Sequence, residues 1–160
     1  MNHKRSLPTW RIPRALRPFV LERGSLTAKL NAACTNGEIR VRVLREGWGR
    51  ATAKECRRHG LKSARMWIRE VELYCGNQCW VYARSLIPPA TYRRLRQRFN
   101  TLGNRPLGEL LFKWRGQQRG PIDIRLNHGR IERSSCFTVF GYPLWVSETF
   151  AFADSPGQNG

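Results

Sequence analysis

The stretch Met66-Trp67-Ile68-Arg69-Glu70-Val71-Glu72-Leu73-Tyr74-Cys75-Gly76-Asn77-Gln78-Cys79-Trp80-Val81-Tyr82-Ala83-Arg84-Ser85-Leu86-Ile87 decides the fold. Met66 to Tyr74 and Trp80 to Ile87 are rich in β-branched and aromatic residues, and Gly76-Asn77 between them supplies the chemistry of a tight hairpin turn. Successive strand side chains point to opposite faces, so Trp67, Arg69, Val71 and Leu73 share one face. That face is apolar apart from its arginine. In the second strand Arg84 falls into a stripe with Trp80, Tyr82 and Leu86.

Working outward toward the N-terminus, Glu38 to Leu44 alternates Ile39, Val41 and Val43 with Arg40 and Arg42 and reads as a third strand. A polar, helix-compatible connection follows it from about Thr52 to Lys62. Before it lie two short helical runs, Arg14 to Leu21 and Ser25 to Ala33, with Gly24 as the break and Ser25 as the N-cap. Toward the C-terminus, Pro88-Pro89 ends the hairpin. Thr91 to Phe99 then reads as a basic helix and Pro106 to Phe112 as a second, with Pro106 in its first turn. Weak strand character at Ile122 to Leu126 precedes Ser135 to Phe140, a Gly141-Tyr142-Pro143 turn, and Leu144 to Phe152. No internal repeat is present. The expectation is one α+β domain on a mostly antiparallel sheet, spanning 1–160 with a core at about 14–153 and a polar tail over 154–160.

The last strand repeats the pattern of the first. Leu144, Val146, Glu148, Phe150 and Phe152 fall on one side, leaving Glu148 as the acid in an apolar stripe. A charge facing a core is paired, bound or neutralised, because stranding it costs several kcal/mol. Arg69, Arg84 and Glu148 are all expected to face inward. Two guanidinium groups against one carboxylate leave excess positive charge, which an anionic ligand would balance, and the planar fork of arginine suits a carboxylate. An ion pair that merely closes the core is the plain alternative.

Composition narrows the classes. The chain has 160 residues with 29 Lys+Arg and 11 Asp+Glu, a formal charge of +18. With 41% hydrophobic and 11% aromatic residues it can bury a core, so global disorder is excluded. No apolar run approaches the ~20 residues of a spanning helix, and the start lacks the apolar centre of a secretory signal. A soluble, cytoplasmic protein is expected. The charge fits nucleic acid, anionic lipid or a small anion, but no helix-turn-helix, zinc-finger or RNP-type pattern is present. Cys34, Cys56, Cys75, Cys79 and Cys136 are odd in number and irregular in spacing, and read as thiols of a reducing compartment. His3, His59 and His128 are scattered singly, so no metal site is expected.

Six segments in register carry a resemblance that covers about Phe19 to Phe152. They are Arg23-Gly24-Ser25-Leu26-Thr27, Val43-Leu44-Arg45-Glu46-Gly47-Trp48, Trp67-Ile68-Arg69-Glu70-Val71, Arg84-Ser85-Leu86-Ile87-Pro88, Arg105-Pro106-Leu107-Gly108-Glu109-Leu110-Leu111-Phe112 and Pro143-Leu144-Trp145-Val146-Ser147-Glu148. In order and spacing they resemble the chorismate pyruvate-lyase family. The resemblance implies a six-stranded antiparallel sheet with helices on one side and a ligand enclosed under two flaps. It also implies cofactor-free conversion of chorismate to 4-hydroxybenzoate and pyruvate, which commits chorismate to the ubiquinone ring in bacteria. The family's ligand contacts fall on the side chains of Arg69 and Glu148, and on Leu26 and Leu107 chiefly through position and main chain. Arg84 is added as a second carboxylate partner or a support for Glu148.

The sequence departs from the family pattern where Arg133 is followed by Ser134 in place of a second arginine, and where Thr149-Phe150-Ala151-Phe152 replaces a leucine- and proline-rich end. The expected partners are chorismate and its products, with no nucleic acid, for a monomer. The alternatives are a small-anion-sensing domain of the same fold, such as those fused to transcription regulators, and a basic nucleic-acid or membrane-surface protein.

Overall fold

The computed structural model describes residues 6–151. After a 3-10 turn at Thr9–Arg11 come α1 (Arg17–Val20), α2 (Leu26–Ala33), β1 (Arg40–Arg50), α3 (Ala53–His59), β2 (Arg65–Cys75) and β3 (Gln78–Ile87). Then follow α4 (Pro89–Asn100), α5 (Leu107–Lys113), β4 (Gln117–Arg119), β5 (Asp123–Asn127), β6 (Arg130–Val139) and β7 (Tyr142–Phe150). All strand pairs are antiparallel, in the order β1-β2-β3-β7-β6-β4, with β5 also on β6. Six strands make the path, as the resemblance implies. The seventh arises because β4 and β5 share one edge of the long β6, β4 opposite Phe137 to Val139 and β5 opposite Arg130 to Ser134. Pro121, which has no N–H to donate, lies in the break between them.

Local chemistry explains most boundaries. Gly76, at φ +59°, turns β2 into β3 with Cys75 opposite Gln78. The β6–β7 turn is built from Phe140 and Gly141, both at positive φ, which is the mirror-turn geometry that matches strand twist. It falls earlier than expected, since Tyr142 and Pro143 already belong to β7. Ser25 caps α2 by accepting from the Ala28 N–H at 3.2 Å. Thr52 and Glu55 form a reciprocal capping box at the start of α3, and Gly60 ends that helix in the left-handed conformation. Pro106 sits just before α5, at its N-cap position. The expected stripe residue Phe152 and the tail over 154–160 lie outside the described residues.

On one face of the sheet, two apolar clusters seat the helices. Val20, Leu26 and Leu30 from α1 and α2 pack on Val71, Leu73, Val81 and Phe150. Leu95 and Phe99 from α4 and Leu107 and Leu111 from α5 pack on Trp67, Phe137, Leu144 and Val146. Helices are not confined to this face. Ile68 and Leu86 alternate onto the other side, where Cys56 of α3 and Leu61 beyond it cover them. Leaving two fully buried aliphatic side chains open to water would cost roughly 3–6 kcal/mol, which accounts for the extra helix.

The thiol reading is corrected for two cysteines. Cys34, just past α2, and Cys75, the last residue of β2, form a disulfide with Cα atoms 5.7 Å apart. Spacing could not reveal it, because the partners are 41 residues apart and meet only through the packing of α2 on the sheet. Cys56, Cys79 and Cys136 remain free, and burial together with the neighbouring Glu72 pushes the Cys79 thiol up to about 11. Closing a 41-residue loop removes about 4 kcal/mol of denatured-state entropy in the chain-entropy model. Cys75→Ser is therefore expected to lower the melting temperature of oxidised protein by several degrees and to abolish the difference between samples with and without reductant. Melting curves of both proteins in both conditions check this.

Candidate active site

The antiparallel register arranges the site in two rows. One row runs Arg69 (β2), Ser85 (β3), Val146 (β7) and Ser135 (β6), and the next runs Val71, Ala83, Glu148 and Arg133. Ala83 and Ser85 are small, so the sheet leaves a hollow between Arg69 and Glu148, which stand two strands apart, about 10 Å. Gly24, Leu26 and Thr27 at the start of α2 and Leu107, Gly108 and Leu111 of α5 roof the resulting cavity. Four of the five residues singled out from sequence, Leu26, Arg69, Leu107 and Glu148, line this one cavity.

Arg84 does not. The register places it opposite Glu70 and Ser147, on the other side of the sheet from Arg69. There it binds Glu55 through Nε at 2.6 Å and also Glu70. Burial works against its charge, but the hydrogen bonds and proximity of Glu55 hold its pKa above the usual value. Tyr82 and Leu86 share this side with Arg84, but a bulge in the pairing near Tyr74 turns Trp80 onto the opposite face, and α3 decides what Arg84 meets by bringing Glu55. Arg84 thus supports the α3 side and neither contacts nor orients Glu148.

Two other arginines take the place assigned to it. Arg133, 1% exposed, stands directly across from Glu148 and donates to it through Nε at 2.8 Å. Its Nη1 donates to the carbonyls of Phe19 (3.1 Å), Val20 (3.3 Å) and Glu22. Arg119 of β4 donates to Ser135 Oγ at 3.0 Å and to the carbonyls of Glu22 and Arg23. Burial, reinforced by the adjacent positive charge of Arg133, pushes Arg119 down to about 10. Sequence reasoning began the β6 strand at Ser135 and so missed the parity that puts Arg133 inward. Arg119 lies on three residues of strand, too few to show a period.

Arg69, 2% exposed, donates to Glu46 at 3.0 Å and to the carbonyls of Gly103 (2.7 Å) and Arg105 (3.0 Å), while its Nε is buried without a partner. Burial pushes its pKa down and Glu46 opposes that shift. Each helical cover is thus pinned from below. Arg133 holds the chain leaving α1, and Arg69 holds the connection from α4 to α5. The cavity is lined by three arginines and one carboxylate in a largely apolar wall; Arg133 pairs with Glu148 and Arg69 with Glu46 behind it, so among the described residues Arg119 is the guanidinium left in excess. That excess, with an unsatisfied N–H on Arg69, suits a small apolar body carrying two negative groups.

The chorismate lyase family model matches residues 8–153. The chain belongs to that family. A probable chorismate pyruvate-lyase of Methylococcus capsulatus is 36% identical, over 84% of this chain and 93% of its own. A chorismate pyruvate-lyase of Sodalis glossinidius is 35% identical, over 85% and 77%. Among solved structures, the C-terminal domain of a histidine utilization repressor from Pseudomonas syringae superposes with a TM-score of 0.51 at 6% identity, covering 74% of this chain and 94% of that one. A Staphylococcus aureus gene product gives 0.51 at 12% identity, over 82% and 90%. These two likenesses concern the fold alone. In this sheet Arg133 and Glu148 form a largely buried pair, and removing one partner would leave the other charge stranded. Arg133→Met is expected to destabilise the fold by roughly 3–5 kcal/mol, measured by urea unfolding.

Proposed function

We propose that the protein is a chorismate lyase, eliminating pyruvate from chorismate to give 4-hydroxybenzoate. The single observation that carries the reading is the cavity shared by Arg69, Arg119, Arg133 and Glu148, where arginines outnumber the carboxylates that pair with them, in a chain of this family. Chorismate is a compact ring with two carboxylates. Breaking its ether bond while the ring gives up one hydrogen yields an aromatic product and pyruvate, and the atoms balance without any co-reactant. Aromatisation supplies the driving force, so the protein has to hold one conformer and stabilise shifting charge.

In this reading the free Nε of Arg69 takes one carboxylate, and Arg119 faces the other. Glu148, fixed by Arg133, accepts a hydrogen bond from the ring hydroxyl or passes a proton toward the departing enolpyruvyl group. Leu26 and Leu107 close the apolar faces of the ring, and Ala83 and Ser85 leave room for it. Neither a cofactor nor a metal takes part. The enzyme works as a cytoplasmic monomer on the path that commits chorismate to the ubiquinone ring. A small-anion sensor of the same fold is the second reading. It would bind the same ligands in the same cavity without turnover.

Purified protein incubated with chorismate, without added metal, is expected to form 4-hydroxybenzoate, followed by its absorbance; binding without product would favour the sensor. Turnover is expected to survive exhaustive chelation, and a loss restored by one particular metal would overturn the cofactor-free reading. In folded protein Arg69→Ala should lower kcat/KM by tens to thousands of fold, the effect of losing about 2–5 kcal/mol of charged hydrogen bonding. Glu148→Gln, which keeps an acceptor for Arg133, should cost about two orders of magnitude in kcat. Melting temperature and turnover measured on one preparation separate the roles: a large fall in melting temperature with activity per folded molecule intact would assign Glu148 to the scaffold.

A further inference from the structure

A small dianionic substrate does not account for a net charge of +18, and the excess is concentrated in one part of the chain. Between Glu72 and Glu109 there is no acidic residue, while Arg84, Arg93, Arg94, Arg96, Arg98 and Arg105 all fall there. Four of these lie on α4. The helix buries Thr91, Leu95 and Phe99 against the sheet and turns Arg93, Arg94, Arg96 and Arg98 outward, all exposed and none ion-paired among the described residues.

Aromatic rings stand on both flanks of this stripe. On one side Tyr92 meets Trp48 of β1 edge to face with ring centres 5.1 Å apart, and the Arg65 guanidinium lies 4.8 Å over the indole. On the other side the β6–β7 turn presents Phe140, with Arg94 and Arg98 at 5.8 and 5.5 Å from its ring; Arg98 also lies 4.9 Å over Trp114. Trp48 and Phe140 are each 44% exposed, so part of each ring reaches water beside the arginines that overlie it.

We infer that the outer face of α4, with Trp48 and Phe140 beside it, docks on the surface of an anionic lipid bilayer. A helix lying in the interface plane with its basic residues at the headgroups, and aromatic rings at its margins entering the acyl boundary, satisfies both features together. Phosphates of a duplex would satisfy the arginines alone, and a single strand would have to stack its bases on rings already overlaid by Arg65 and by Arg94 and Arg98. Thr91 fixes the helix beneath by donating to the Pro143 carbonyl at 2.6 Å, and Phe99 stacks on Trp67 at 5.7 Å, so the face is rigid before it binds. The inference does not depend on the lyase reading.

The test is co-sedimentation of the full chain with vesicles of phosphatidylcholine alone and of phosphatidylcholine mixed with phosphatidylglycerol. Binding is expected only to the mixed vesicles, weakening as salt rises. Each basic residue near such a surface changes affinity about fivefold, so Arg94→Gln with Arg98→Gln should weaken binding about twentyfold or more. Phe140→Ala should remove the part that resists salt. Chorismate turnover and melting temperature in the same variants report that the fold is intact. Arg57→Gln with Lys62→Gln removes the same charge from exposed positions in and just after α3, on the opposite face, and should leave binding almost unchanged. Equal weakening by that pair would reduce the effect to net charge and overturn the inference. So would absence of binding to the mixed vesicles, or tight binding of DNA or RNA through the α4 arginines with no vesicle binding.

Discussion

The structure depends on the burial of two sheet arginines whose charge has to be satisfied without water. A guanidinium taken from water loses several kcal/mol unless nearly all its N–H groups find acceptors. Arg133 finds them in Glu148 and in the last carbonyls around α1, and Arg69 finds them in Glu46 and in the carbonyls between α4 and α5. These bonds do more than neutralise charge. They fix where the two helical covers leave the sheet, and so they fix the walls of the cavity between α2 and α5. Fold and site therefore share the same residues.

That sharing shapes the reading of every polar group in the cavity. A carboxylate that only closed an ion pair would face a single arginine in a filled core. Glu148 instead sits with Arg133 at the edge of a hollow kept open by Ala83 and Ser85, with two further guanidinium groups around it. The sheet pays for an unsatisfied Arg69 Nε where an apolar residue would pack without cost, which is the kind of local strain expected at sites kept for binding. On the other face of the sheet the same residue types behave differently. Arg84 is matched by Glu55 and Glu70, and Arg58 by Asp123 and Glu132, so each of these two arginines has two acids close by.

The sequence by itself determined the framework, because local rules act there. Alternation in β2, β3 and β7, the Gly76-Asn77 turn, the Ser25 cap and the prolines before α4 and α5 each express a short-range constraint of sterics or hydrogen bonding. The same alternation exposed Arg69 and Glu148, since a charge on an apolar face breaks the pattern it sits in. Only the tertiary structure decided the rest. Arg84 faces Glu70 across the β2–β3 hairpin, but its second acid, Glu55, arrives with α3, 29 residues away in sequence. Arg133 becomes Glu148's partner through the register set by the Phe140–Gly141 turn, and Arg119 enters from a three-residue strand with no period to read. Cys34 meets Cys75 only when α2 has docked on the sheet. In each case the deciding contact joins segments whose separation along the chain carries no local signal, so its energy is realised only when the sheet brings them together.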